Sequence, residues 1–434
     1  MISAALAGTA LWLTGTTDGL RLMMRAVSVL SPYRLSFEAV EGDLSGTLMI
    51  GKLRLSNAQR SIEVDGLRLQ WQPRALWQQR FEIDLLAAQS LRVIILKPDP
   101  APPILPSSLR LPVDLRLHAL DLARLDINTA GQTFSFRNLR AGLDGTGDRY
   151  RLTQAIVSTP WAELRGGIEL GKDAPFALQG RVDAVRQEPL PVQAVLALSG
   201  SLSAPEFKVD AAAAGMQFLA QGLAAPFAKV RLTRLMLAGQ GIDPRQFSVD
   251  APQADLAFSG VFEGKLEGKL EGNPDAAQAG ERLLGTFSLS NRLSGRFDQQ
   301  RLPLANLTGA VLGDSASAEF SSLMLDLGAG GLLNGDGYWR DGKVTLNLLG
   351  PQLNLAGLHS ALNPTRIEAN LQFVGDAARQ QLGGKFSESW GAGHFSASHD
   401  AAALYLEALE FSGQAGRLSA KGNLQLDAQR AFSA

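Results

Sequence analysis

The feature that most restricts how this 434-residue chain can fold is a two-residue alternation of apolar and polar positions that dominates from residue 35 onward. Ile62 and Val64 alternate, and Leu67, Leu69 and Trp71 resume in the other phase after Asp65-Gly66. Phe176, Leu178, Gly180, Val182 and Ala184 hold one phase, as do Val344, Leu346 and Leu348. So do Ile367, Ala369, Leu371 and Phe373, then Leu404 and Leu406, then Leu418, Ala420, Gly422, Leu424 and Leu426. Period two gives a strand one dry face and one wet face. Roughly twenty segments fit this template. Phase jumps at Asp-Gly, Asn-Arg or Gly-Gly read as turns or bulges. Asn334-Gly335-Asp336-Gly337 reads as hairpin turns rather than as a calcium loop, because the later calcium ligands are missing.

Helix signals are sparse. Arg74 to Gln79 is long enough for one or two turns, and Ala276 to Leu284 is a second short candidate after Asn273-Pro274. Neither covers a large sheet. Twenty strands side by side at ~4.8 Å would run for about 100 Å, whereas apolar patches on soluble monomers rarely exceed a few hundred Å². The dry face must therefore meet a second sheet, close into a barrel, or receive an apolar ligand. Under the first two outcomes Leu69, Trp71, Phe176, Leu178, Val182, Val344, Leu346, Leu348, Ile367, Leu371, Phe373, Leu404, Leu406, Leu424 and Leu426 are core. Under the third they line a binding site for the apolar ligand.

The N-terminus differs. Met1 to Thr17 carry no charge, and Leu6, Leu11, Trp12 and Leu13 make the run apolar. It is shorter than the ~20 residues of a full span and has no basic start. It reads as part of a membrane anchor over 1–17, with a modest buried helix as the alternative. Leu20, Met23, Met24, Val27 and Leu30 then follow helical spacing over 18–31, bounded by Asp18 and Pro32. That stretch either lies on a membrane or packs on the next strands. Residues 32–96 form a first β unit, the run around Pro98, Pro100, Pro102 and Pro103 makes 97–107 a linker, and 108–434 continue the strands.

Chemistry-bearing motifs are missing. Lys+Arg total 41 against 42 Asp+Glu, a net charge of −1 that excludes recruitment to nucleic acid by bulk charge. With no cysteine there is no disulfide framework, thiolate zinc site or cysteine nucleophile. There is no HExxH, and His394 and His399 read as ordinary surface residues. Gly313-Asp314-Ser315-Ala316-Ser317 misses the nucleophile-elbow pattern and its strand-to-helix context. Asp326, Asp336 and Asp341 are explained as turn aspartates. No enzyme, cofactor or metal is expected.

The N-terminal block resembles the TamB family of translocation and assembly module proteins, within the AsmA-like, repeating β-groove superfamily. The residues that carry the resemblance are TGTTDGL (14–20), the amphipathic stretch to Leu30, VEGDLSGTLMIGKLRL (40–55), LRLQWQP (67–73) and LRVII (91–95), followed by the prolines. The resemblance implies a mostly β protein, an elongated, curled antiparallel sheet with a membrane-anchor helix at its N-terminus. It implies an inner-membrane anchor with the bulk of the chain in the periplasm of a Gram-negative bacterium. It also implies phospholipid acyl chains as ligands and an outer-membrane barrel partner of the TamA type, met through a C-terminal part expected to lie beyond this sequence. Two functions follow: carrying phospholipid toward the outer membrane, or templating outer-membrane strands by β-augmentation. An unrelated exported β protein is the remaining alternative.

Overall fold

A computed structural model describes residues 34–43, 46–96, 103–129, 132–188, 190–248, 251–267, 280–414, 416–425 and 432–433. The expected anchor and amphipathic helix, with Leu6, Leu11, Trp12, Leu13, Leu20, Met23, Met24 and Val27, lie outside these residues, as does Leu426. The described residues hold twenty-six strands and only short helical turns. They divide into two units, 1–213 with 223–228, and 214–222 with 229–434.

The first unit carries β1 (Arg34–Gly42), β2 (Thr47–Ser56), β3 (Arg60–Trp71), β4 (Arg80–Ala88), β5 (Ser90–Ile95) and β6 (Asp114–Thr129). It continues with β7 (Gln132–Gly145), β8 (Arg149–Ser158), β9 (Glu163–Gly171), β10 (Leu178–Arg186), β11 (Val192–Ser201) and β12 (Ala204–Ala213). The Arg74–Gln79 expectation is met by a 3-10 turn, Pro73–Gln78, between β3 and β4. Arg68↔Ala87 and Asp65↔Ser90 share one register, so β4 and β5 are a single strand interrupted opposite Gly66. Gly66 has φ 62°, a left-handed conformation that glycine adopts at little cost.

β6 pairs in parallel with both β4 and β5, whereas its other neighbour, β7, is antiparallel. The sheet therefore continues from β4 and β5 directly to β6. The connection must retrace the length from Ile95 back to the Arg80 end. Sixteen strand residues cover about 50 Å at ~3.3 Å each. The end of the crossover is clasped to the sheet. Leu109 N donates to Lys172 O at 2.8 Å and Tyr150 Oη donates to Leu109 O at 2.7 Å. Arg110 Nε donates to both carboxylate oxygens of Asp173 at 2.9 Å. The buried Lys172 ammonium is held by Gly145 O, by Asp114 Oδ1 at 3.3 Å and by the Tyr150 ring, 4.9 Å from its centroid. A buried cation requires such partners.

The second unit carries β13 (Met216–Ala224, of which 223–224 fall in the first unit), β14 (Leu232–Ile242), β15 (Leu256–Glu267), β16 (Gly280–Asn291), β17 (Asn306–Gly313), β18 (Ser317–Asp326) and β19 (Leu332–Arg340). After these come β20 (Lys343–Leu353), β21 (Ile367–Gly375), β22 (Arg379–Glu388), β23 (Gly391–Asp400), β24 (Ala403–Gly413), β25 (Gly416–Gln425) and β26 (Phe432–Ser433). From β14 to β26 each strand pairs antiparallel with the next. Register shifts interrupt β14, β17, β18, β20 and β24. A bulge bends its strand and raises the local twist, which curls the sheet.

Two expectations fail here. The helix expected over Ala276–Leu284 is replaced, from Gly280 on, by β16, whose Leu283, Phe287 and Leu289 obey period two; 276–279 lie outside the described residues. Asn334-Gly335-Asp336-Gly337 is not a turn but the middle of β19, where the glycines face apolar side chains of β20. Asp341-Gly342 does make the tight hairpin, with positive φ at both residues (51° and 78°), as a type I′ turn requires. Asp314 turns the chain between β17 and β18 by accepting from Ala316 N and Ser317 N, both at 2.8 Å.

Candidate functional site

Cross-strand partners share a face, so the ladders show which side chains stand together. In the second unit one row runs Gly337–Leu346–Phe373–Leu382–Ala397–Leu406–Gly422. The adjacent row runs Gly335–Leu348–Leu371–Gly384–Phe395–Leu409–Ala420. A third runs Trp339–Val344–Gly375–Gln380–His399–Leu404–Leu424. Ile367 joins this face opposite Leu353. In the first unit Leu69 stands between Leu48 and Leu86, and Val182 between Gly166 and Leu196. Trp71 pairs with Ile83, its ring 5.2 Å from that of Phe81, and Leu178 pairs with Leu170.

Within each unit the described strands contact one another as ladder neighbours, and among the described residues no second sheet or helical layer lies over the apolar face. Only eighteen hydrophobic residues among those described are buried. Leu346, Leu371, Phe373 and Leu406 are half-buried, shielded by neighbours in their own sheet. Glycine makes that shielding work. A Cβ on Gly384 would lie 2.3 Å from Asn370 O and 2.9 Å from Leu371 Cδ2. On Gly393 it would lie 2.6 Å from Phe386 Cζ, and on Gly391 2.3 Å from Phe411 Cζ. The large side chains lie down over glycines of the next strand, so the face is a shallow relief of rings and notches.

Two places are closed. Leu348 and Ile367 are buried with Leu333, Leu353 and Ala369, because Leu327 and Leu355 fold onto them from the loops. Phe176 departs furthest from expectation. It precedes β10, has φ 54° and is fully buried, so it is core and not part of an open face. Its place in the alternation is fortuitous, since the strand begins at Leu178.

The two edges of the second unit differ. Connections after β17, β19, β21 and β23 are tight turns, whereas those after β14, β16, β18 and β20 carry short helical turns. At the tight edge, N–H donors at the turns hold the carboxyls of Asp314 (first Ala316), Asp376 (first Arg379) and Asp400 (first Ala402) below the ordinary carboxylate value. At the looped edge Ser360 donates through N and Oγ to Asp298 at 3.0 and 2.8 Å. The sheet's other face is polar. Asn347 donates to Asp336 and Gln372 donates to Asn347, both at 3.2 Å. Glu407 there accepts from Ser398 at 2.8 Å and Ser396 at 2.9 Å, bonds that lower its pKa.

No group of three His, Cys, Asp or Glu among the described residues is placed to hold a metal ion. No described helix is long and apolar enough to cross a membrane. Among the described residues each unit is thus a curled, largely antiparallel sheet whose apolar face is covered only in places. Residues 6–260 match the family described as TamB, N-terminal domain, and the chain belongs to that family. No match was found among curated proteins or among solved structures.

Proposed function

We propose that this chain carries phospholipid through the Gram-negative envelope, as a non-enzymatic TamB-like protein held at the inner membrane with its sheet in the periplasm. The observation that carries the reading is the open apolar face. Acyl chains partition onto it, each buried CH₂ contributing about 0.8 kcal/mol, while head groups stay at the polar edge. Successive rows of leucine, phenylalanine and glycine offer near-equivalent sites, so movement is one-dimensional sliding and needs no reacting residue. A photo-crosslinking side chain at Leu346 or Phe373 captures lipid in this reading, and Leu346→Arg stops lipid passage without unfolding the sheet. A crosslinker that returns no lipid adduct from either position overturns it.

A second reading keeps the family's assembly role with a TamA-type barrel. In that case an edge strand templates an incoming strand by β-augmentation, and proline substitutions on such a strand impair assembly more than Leu346→Arg does.

A further inference from the structure

His394 and His399 are an odd number of residues apart on one strand, which sends them to opposite faces. His394 faces outward, paired across the ladders with Lys385 and Glu410. His399 faces the apolar side, with Gln380 and Leu404 as its cross-strand partners. Gln380 and His399 are thus adjacent polar residues in an otherwise apolar row, at the tight-turn edge where the dry face meets solvent.

Their hydrogen bonds fix the imidazole. Gln380 Nε2 donates to Asp376 O at 2.6 Å, which turns Gln380 Oε1 toward His399 Nδ1, 2.9 Å away. Nδ1 therefore carries the proton, and Nε2 of the neutral ring keeps its lone pair as an acceptor. Asp376 and Asp400 flank the pair in the two adjoining turns. Their Oδ1 atoms accept turn N–H bonds at 2.8–3.0 Å. Those bonds keep both groups ionised. The guanidinium of Arg379 is engaged on the polar side, donating to Ser398 Oγ and Glu407 Oε1 at 3.0 Å. Beside the pair, Leu404 is 44% and Leu382 38% exposed.

We propose that His399, oriented by Gln380, forms a head-group subsite for a primary ammonium, as in a phosphatidylethanolamine-type lipid, with acyl chains running inward over Leu382 and Leu404. The subsite deepens the lipid-groove reading and rests on it. A primary ammonium donates one N–H to Nε2 while its charge faces the two carboxylates. Lys343, whose charge reaches Asp376 from the next hairpin, supplies a cation for the phosphodiester. A trimethylated head group has no N–H to give, and a glycerol head group has hydroxyls but no positive charge.

The test exposes the full chain to vesicles holding equal amounts of lipids with ethanolamine, N-methyl-, N,N-dimethyl- and N,N,N-trimethyl-ethanolamine and glycerol head groups. Lipid extracted with the protein is then quantified by mass spectrometry. The expected result is about a tenfold preference for ethanolamine over the trimethyl head group, the factor one net hydrogen bond supplies, with a sharp drop at the final methyl. In His399→Leu, and less fully in Gln380→Leu, the preference falls to about one. Lipid recovered from the parent without discrimination, or an unchanged preference in His399→Leu, overturns the subsite and leaves the groove standing. Recovery of no lipid at all from the parent overturns the groove reading itself. The methylation series needs no variant, so a folding defect in His399→Leu does not decide the outcome.

Discussion

Gly383 and Gly384 are neighbours on β22 with opposite duties, and substituting each by alanine separates them. A Cβ on Gly384, on the apolar side, meets Asn370 O at 2.3 Å and Leu371 Cα at 3.0 Å. These are backbone atoms, so the β21–β22 pair must shift, an overpacking cost of about 1–3 kcal/mol. A Cβ on Gly383, on the polar side, finds its nearest atoms at 3.2 Å (Phe395 O) and 3.8 Å (Ser396 Cα). That mild crowding works against the ~0.4–1 kcal/mol gained from a less flexible unfolded chain, leaving Gly383→Ala within about 1 kcal/mol of the parent. Amide hydrogen exchange across Ile367–Asp400 measures the local effect. Gly384→Ala is expected to speed exchange there between about fivefold and a hundredfold, since ~1.4 kcal/mol is a factor of ten. Gly383→Ala is expected to leave it nearly unchanged. Equal effects, or a larger effect at Gly383, would refute the idea that glycines of the apolar rows are notches for the neighbouring strand.

Phe176→Ala is expected to destabilise the first unit by about 3–5 kcal/mol, as for other buried phenylalanines, while Leu371→Ala costs the second unit less; urea denaturation followed by unit-specific tryptophan substitution reports both. The turn carboxylates predict acid sensitivity at the tight edge. Their folded pKa values lie below the unfolded value of ~3.9, so their stabilisation is fully present above that pH and is lost as pH falls through the lower folded values. Protection of the Ala378 and Arg379 amides, measured relative to intrinsic exchange at each pH, should therefore fall below about pH 4. Asp376→Asn keeps an acceptor without a titrating group, and its turn should hold at acid pH; a parent turn unaffected by acid would contradict this. Replacing Lys172 by Ala removes the partner of Asp114 and of Gly145 O, and protease cleavage between residues 103 and 113 should then rise.

Period two alone made the strands legible, and with them the common face of Val344, Leu346, Leu371, Phe373, Leu406 and Leu424. It was insufficient wherever long-range geometry overrode local signals. Asn334–Gly337 looks like turn chemistry, but its glycines are required by Leu346 and Leu348 on a strand that only the fold brings alongside. Phe176 shares the parity of β10 yet belongs to a turn. His399 was readable in principle, since an odd spacing from His394 on a strand is enough to place it inside. The parallel return from β5 to β6 was not readable, because the prolines signal a connection without saying where it leads.

That return has a lasting topological effect. A hairpin reverses the chain once, and the next turn falls on the far edge; a crossover leaves direction unchanged. Had β6 followed β5 through a hairpin, residues 146–148 and 172–177 would have moved to the margin opposite the Pro73–Gln78 turn. Instead they share that margin with it. That one parallel pairing thereby decides, for all later strands of the first unit, which border of the sheet receives each bend and every charge it bears.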